Sequence, residues 1–186
     1  MGSEMCIRDR LCAMLRLTDR MKWTIRQEKA GDEAVIASVT DAAFAGKTYA
    51  DGTEANLPAQ LRDAGALVLS LVAIECKQII GHACLSPATI GGDRWLALGP
   101  VSVLLDKQGQ GVGSALVSTA TSVAQAYGRG GVVLMGDPKF YGRLGFELSQ
   151  GITYQGKVSP HLQIYPFGAD PKGDVHFHPL FEVDIS

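Results

Sequence analysis

Several features are missing from this chain, and each absence removes a class of function. There is no Cys-x-x-Cys spacing among the four cysteines (Cys6, Cys12, Cys76 and Cys84), so neither a zinc site nor a redox pair is indicated. Cys76 and Cys84 lie in apolar stretches and are expected to be buried thiols of a protein kept in the reducing cytoplasm. No apolar run approaches the roughly 20 residues of a membrane span, and no signal peptide is evident. Lysine and arginine nowhere cluster, and the net charge is −2, which argues against nucleic acid and anionic membranes as partners. Repeats and low-complexity segments are absent too.

What is present is an ordinary globular composition, 46% apolar and 19% charged, in 186 residues, enough for one domain. Residues 1–20 fit poorly with the regular pattern of the remaining chain and read as an extension foreign to the fold, with Met21 the expected initiator. The domain is then 21–186. Trp23–Gln27 alternates as a strand does, and Asp32 is expected to cap a helix with Val35, Ile36, Val39 and Ala43 on one face. A short helix starts near Asn56 or Leu57, since Pro58 belongs to a first turn. Segments 66–75 and 78–86 form a hairpin about Cys76-Lys77, and 94–105 is the next strand. Within it, Gly99-Pro100 implies a bulge or splay, because proline lacks a ladder donor. Further strands are expected at 132–135, 146–148 and 175–183, making about seven, with a helix at 111–127. Asp137-Pro138 opens a short helix with Asp137 as its cap.

The chemistry concentrates where strand 94–105 meets helix 111–127. Gln108-Gly109-Gln110-Gly111-Val112-Gly113-Ser114 places three residues without a Cβ at the mouth of a helix. There the first-turn N–H groups are unpaired and the helix dipole is positive, an arrangement suited to a phosphate. A dinucleotide-binding turn is the rival reading, with Asp137 as a ribose-binding acid. That fold wants its loop after an early strand, with several βα units still to come. Only 73 residues remain after Gly113 here, interrupted by Pro160, Pro166, Pro171 and Pro179.

The segment 108–116 resembles the acyl-CoA pyrophosphate loop of the GNAT superfamily of N-acetyltransferases. Asp137-Pro-Lys-Phe-Tyr-Gly-Arg-Leu-Gly-Phe146 is similar to that family's later Phe-Tyr-x-x-x-Gly-Phe segment. The resemblance runs from about Trp23 to Phe146 and is loose over the last forty residues. It implies an α/β (α+β) fold: a twisted mixed sheet with helices on both faces, splayed between strands 4 and 5, with acetyl-CoA in the gap. Val101, Ser102 and Val103 would then flank the pantetheine arm, the backbone of Val101 and Val103 pairing with it, while Gln108 to Ser114 wrap the pyrophosphate. The implied reaction is acetyl transfer to an amine on a small molecule, an amino acid or a protein, by a monomer or homodimer.

An alkylamine with a pKa of about 10.4 must lose a proton first, a cost of roughly 4–5 kcal/mol at pH 7. By resemblance Tyr141 protonates the departing thiolate, and a backbone N–H near Val101 polarises the thioester carbonyl. Many relatives carry a glutamate on or near the cofactor strand, yet 94–105 contains no acidic residue. Glu75, His82, Asp93 and a water chain remain as sources of the base. Lys47, Asp51 and Glu54 lie in or beside the loop that commonly lines the acceptor site. His176-x-His178, with His161 upstream, is compatible with Zn²⁺ as two ligands on one strand face, but no third ligand has motif spacing, so no metal is expected. The alternative function is a CoA-binding sensor or interaction module without catalysis. Transfer of a longer acyl group, or to oxygen, also remains open.

Overall fold

A computed structural model describes residues 22–47, 52–168 and 170–181. The proposed extension 1–20, Met21, Asp51, Cys6 and Cys12 lie outside the described residues. Eight strands share one sheet: β1 (Thr24–Gln27), β2 (Leu69–Glu75), β3 (Gln78–Ile90), β4 (Asp93–Val103), β5 (Gly131–Met135), β6 (Ile152–Tyr154), β7 (Leu162–Pro166) and β8 (Gly173–Phe177). Helices α1 (Glu33–Phe44), α2 (Leu57–Asp63), α3 (Val112–Ala124) and the single turn α4 (Pro138–Tyr141) surround it. The main order is β1-β2-β3-β4-β5-β7, antiparallel except at β4–β5. β8 pairs with the far end of β3 and with β6.

The sheet is two-faced because apolar residues alternate along its central strands. Leu69, Leu71 and Ala73 of β2, Leu85 of β3 and Leu96 and Leu98 of β4 meet Val112, Leu116, Ala120 and Val123 of α3 in one core. Val72 and Ile79 turn the other way, toward Ile36 and Val39 of α1. A fully buried side chain such as Leu116 contributes roughly 1.5–3 kcal/mol. α1 presents Ile36, Val39, Thr40 and Ala43 to the sheet, whereas Val35, expected on that face, is exposed. Nor does the Asp32 side chain cap α1. Its carboxylate accepts from Lys29 N–H at 2.8 Å and from the Arg26 guanidinium at 3.0 Å, tying β1 to the start of the helix.

The strand count also differs. Segment 146–148 is no strand; only Glu147 bridges, to Ile164. β6 and β7 were not anticipated, because short strands broken by glycine and proline carry little periodicity. The last strand ends at Phe177 rather than running on to 183. Cys76 is exposed in the hairpin turn, where it and Lys77 both adopt positive φ, so it is not a core thiol; Cys84 is buried as expected. Among the described residues, no helix is long and apolar enough to cross a membrane.

β4 positions the site. Its ladder with β5 has two pairs, Leu96–Val132 and Ala97–Val133. Beyond them β5 stays with β7, from Leu134–Gln163 to Met135–Leu162, while β4 stays with β3 as far as Val103–Gly81. The two strands part there. Leu134, on β5 at this fork, is fully buried in the core of α3. Leu134→Ala is expected to cost about 2–5 kcal/mol in urea unfolding; a loss below about 1 kcal/mol would show that the fork is not held by this packing.

Candidate active site

Opposite Gly99-Pro100, whose peptide is cis, the β3–β4 register slips between Ala83 and Leu85. The ladder then resumes, Ala83 with Val101 and His82 with Ser102. Leu104 N–H donates to Ile80 C=O at 3.0 Å, so β4 points alternate backbone groups toward β3. The intervening residues, Val101 and Val103, therefore aim theirs into the opening that β5 has left. Val103 C=O accepts from the Gln108 side chain at 3.0 Å, which anchors the following loop to the strand. Ser102 faces away from α3. Its hydroxyl lies 3.1 Å from that of Thr40 on α1, and both groups are buried.

The loop is shaped as its glycines require. Gly111 is the N-cap of α3 at φ +88°, and Gly109 stands at φ +74°, backbone that other residues adopt only with strain. Nothing lies within 4 Å of a Cβ built on either. No side chain caps α3, and the Gly111 carbonyl bonds Ala115 N–H as the first intrahelical bond. The N–H groups of Val112, Gly113 and Ser114 thus belong to the open first turn. Gly113 differs from the other two: its φ is ordinary, and a Cβ there would touch the Phe140 ring at 3.4 Å.

That contact joins the loop to α4. Asp137 caps the turn, accepting from Lys139 N–H at 2.9 Å, as its position before Pro138 implies. This local role replaces the ribose-binding one. Tyr141 ends the helix, half-buried, its ring edge-on to Phe140 at 4.8 Å and to Phe146 at 5.7 Å. The ring also lies close to Gly136, where a Cβ would come 2.3 Å from its Cε2. Gly136 comes directly after β5, so Tyr141 is held on the β5 side of the opening, across from β4.

Comparison with known proteins decides what this arrangement belongs to. The family model described as Acetyltransferase (GNAT) domain matches residues 67–148. A GNAT family acetyltransferase from Brucella melitensis, solved in complex with acetyl-CoA, is 40% identical, with 86% of this chain and 98% of that chain covered and a TM-score of 0.76. This chain belongs to the GNAT acetyltransferase family. GNAT family N-acetyltransferase YhbS from Escherichia coli, solved in complex with CoA, is 30% identical over 84% of this chain and 90% of its own, also at TM-score 0.76. The curated relative of strain K12, "Uncharacterized N-acetyltransferase YhbS", is 35% identical over 106 residues, 55% of this chain. The chain spans 64% of that relative's length.

Within this GNAT fold the remaining charged candidates separate clearly. Glu75 is ion-paired with Lys107 and lines a surface cavity of about 600 Å³ with Lys22, Cys76 and Gln110, on the loop side of the sheet. Asp93 is exposed at the β3–β4 turn, six residues from Gly99 and so about 20 Å along the strand. Lys47 is half-buried, and Glu54 accepts from Gly52 N–H at 3.0 Å in the loop before α2. The histidines go separate ways. His161 Nδ1 lies 3.3 Å from Gly136 C=O, His178 Nδ1 accepts from Leu180 N–H at 3.3 Å, and His176 pairs with Thr89 in the β3–β8 ladder. Among the described residues, no three His, Cys, Asp or Glu side chains come together as a metal site.

His82 is the surprise. It is wholly buried, with Nε2 2.9 Å from Ser70 Oγ. Ser70 in turn donates to Glu28, which is ion-paired with Arg62 of α2. Ser70 has one proton, given to the carboxylate, so Nε2 must donate and Nδ1 is left bare, with no partner among the described residues. Burial, and secondarily the Arg62 guanidinium, push the imidazole down to about 3. A group so buried and so weakly basic is no proton acceptor at neutral pH. Sequence reasoning missed this row because its members come from the residue after β1, from β2, β3 and α2, and no local spacing marks it.

The low His82 pKa also fixes a pH response. The unfolded imidazole takes up a proton below about 6.5 and the folded one only near 3, so stability falls as pH drops through that window. Between pH 6 and 4 the loss is expected to approach about 1.4 kcal/mol per pH unit, and His82→Gln should flatten it. A wild-type unfolding free energy constant from pH 7 to 4.5 would contradict the neutral, buried assignment.

Proposed function

We propose that this GNAT protein transfers an acetyl group from acetyl-CoA to the amine of a small molecule, an amino acid or a protein. The observation that carries this reading is the opening between β4 and β5, into which Val101 and Val103 turn their backbone groups beside the uncapped mouth of α3. Pantetheine is an amide-bearing chain and pairs with a strand edge as another strand would. The pyrophosphate then meets the N–H groups from Gly109 to Ser114 and the positive end of α3. The Brucella relative bound to acetyl-CoA and YhbS bound to CoA support the choice of ligand.

In this reading the Val101 N–H polarises the thioester carbonyl, and Tyr141 delivers a proton to the leaving sulfur from the opposite bank. Its ring is fixed by Gly136, Phe140 and Phe146, so the hydroxyl has little freedom to wander. Glu75 is held by Lys107, Asp93 is remote and His82 is too weak a base, so the ammonium gives its proton to water. Catalysis then depends on the fraction of amine already neutral. The free thiols of Cys76 and Cys84 suit the reducing cytoplasm in which we place the protein. A second reading, CoA binding without transfer, is favoured by the missing acidic residue on 94–105. Thiol release from acetyl-CoA across a panel of amines separates the two.

Tyr141→Phe is expected to lower kcat by about 10²–10³ while leaving the CoA dissociation constant unchanged in calorimetry. Gly111→Val should do the reverse, weakening CoA first, because it forces φ +88° on a branched residue. Equal turnover in Tyr141→Phe removes the tyrosine from the mechanism. With no internal base, log kcat/KM should rise with a slope near 1 from pH 6 toward the amine's own pKa of about 10. A plateau setting in near pH 7 would mean that a protein base exists after all.

A further inference from the structure

Beside the opening between β4 and β5, a residue from neither strand rests on β4. Past the last ladder pair, Ala97–Val133, the next residues on the face carrying α1 and α2 are Gly99 from β4 and Met135 from β5. Here the chain's C-terminal turn, Pro179–Phe181, packs beside α2. Phe181 sets the tip of its ring on Gly99: a Cβ at that position would lie 2.8 Å from Phe181 Cζ and 3.3 Å from Cε2. Phe177 on β8 backs the ring, centroids 5.2 Å apart and planes tilted by 32°. Met135 and Phe181 pack against the same buried cluster. Gly99 C=O is taken by the Cys84 thiol at 3.0 Å, so this stretch of β4 is held in place from its β3 side as well.

We propose that Phe181 is a specificity-determining residue, forming the acceptor-side wall of the transfer site. The inference rests on the opening being the acetyl-CoA site. Val101, assigned above to the thioester carbonyl, is two residues from Gly99, about 7 Å along the strand. A phenyl ring resting on Gly99 therefore borders the space in which the amine approaches, from the side opposite α3. The side chains that form this wall, Phe181, Phe177 and Met135, are apolar. A carboxylate next to the amine would lose water against them and gain no charged partner from them, which disfavours it. The wall thus selects amines on an apolar carbon skeleton, such as arylalkylamines, over α-amino acids. It also keeps water from the thioester on this face.

The test uses the full chain and reads thiol release from acetyl-CoA with phenethylamine, with alanine and with no amine. Wild type is expected to prefer phenethylamine by at least about tenfold in kcat/KM. Phe181→Ala should raise KM for phenethylamine about tenfold and lift amine-free hydrolysis several-fold, with the CoA dissociation constant unchanged. Phe181→Leu, which keeps the bulk of the wall and leaves folding intact, should restore low hydrolysis while retaining the altered amine preference. An unchanged amine ratio and unchanged hydrolysis in both variants, or a wild type that prefers alanine, overturns the proposal. Wild type that fails to bind acetyl-CoA at all overturns the site reading, and this proposal falls with it; CoA binding with unaltered selectivity defeats the wall alone.

Discussion

Between Leu98 and Val103, strand β4 has a hydrogen-bonded neighbour on one edge only. Backbone N–H and C=O groups are costly to leave unmatched where water is scarce, so a strand half-abandoned inside a sheet needs a reason and a support. The support is visible on both sides of the gap. β3 grips β4 through Val103, the Cys84 thiol holds the Gly99 carbonyl, and β7 carries β5 away. The reason is a ligand that completes the ladder. The remaining elements of the site are arranged around that one broken pairing.

Two banks face each other across it. On the β4 bank, Gln108 fastens the glycine loop to Val103, fixing where the open turn of α3 begins. On the β5 bank, Gly136 lets Tyr141 lie close, and Phe140 links that tyrosine back to the loop by packing at Gly113. Loop and tyrosine are therefore one packed unit. The buried row Arg62–Glu28–Ser70–His82 lies on the other face, tying α2 to the sheet beside the same strands. Its energetics concern stability rather than proton transfer, since a neutral buried imidazole contributes shape and a hydrogen bond, not basicity.

The parts legible in the sequence were those written in neighbouring residues. Gly109 and Gly111 announce left-handed backbone, Asp137-Pro138 announces a capped turn, and Cys76-Lys77 announces the tight turn of a hairpin. Gly99-Pro100 marked a bulge or splay because proline spoils a ladder locally, and the resemblance to the GNAT family implied that the splay parts β4 from β5. What stayed hidden depends on distant partners. Val35 looked like a core residue until the phase of α1 against β3 was fixed, and Asp32 looked like a cap until Arg26 took its carboxylate. The strands of residues 152–166 exist through β5 and β8, not through their own pattern. Phe181 meets Gly99 across 82 positions of chain, a contact no local rule reports.

Hydrogen exchange of the backbone amides, with and without acetyl-CoA, addresses the broken pairing itself. The amides of Val101 and Val103, together with those of Gly109 to Ser114, should slow on addition of the coenzyme, while those of β6 and β8 remain unaffected. Unchanged exchange at Val101 and Val103, with protection appearing elsewhere, would mean that the gap between β4 and β5 is not where the ligand lies.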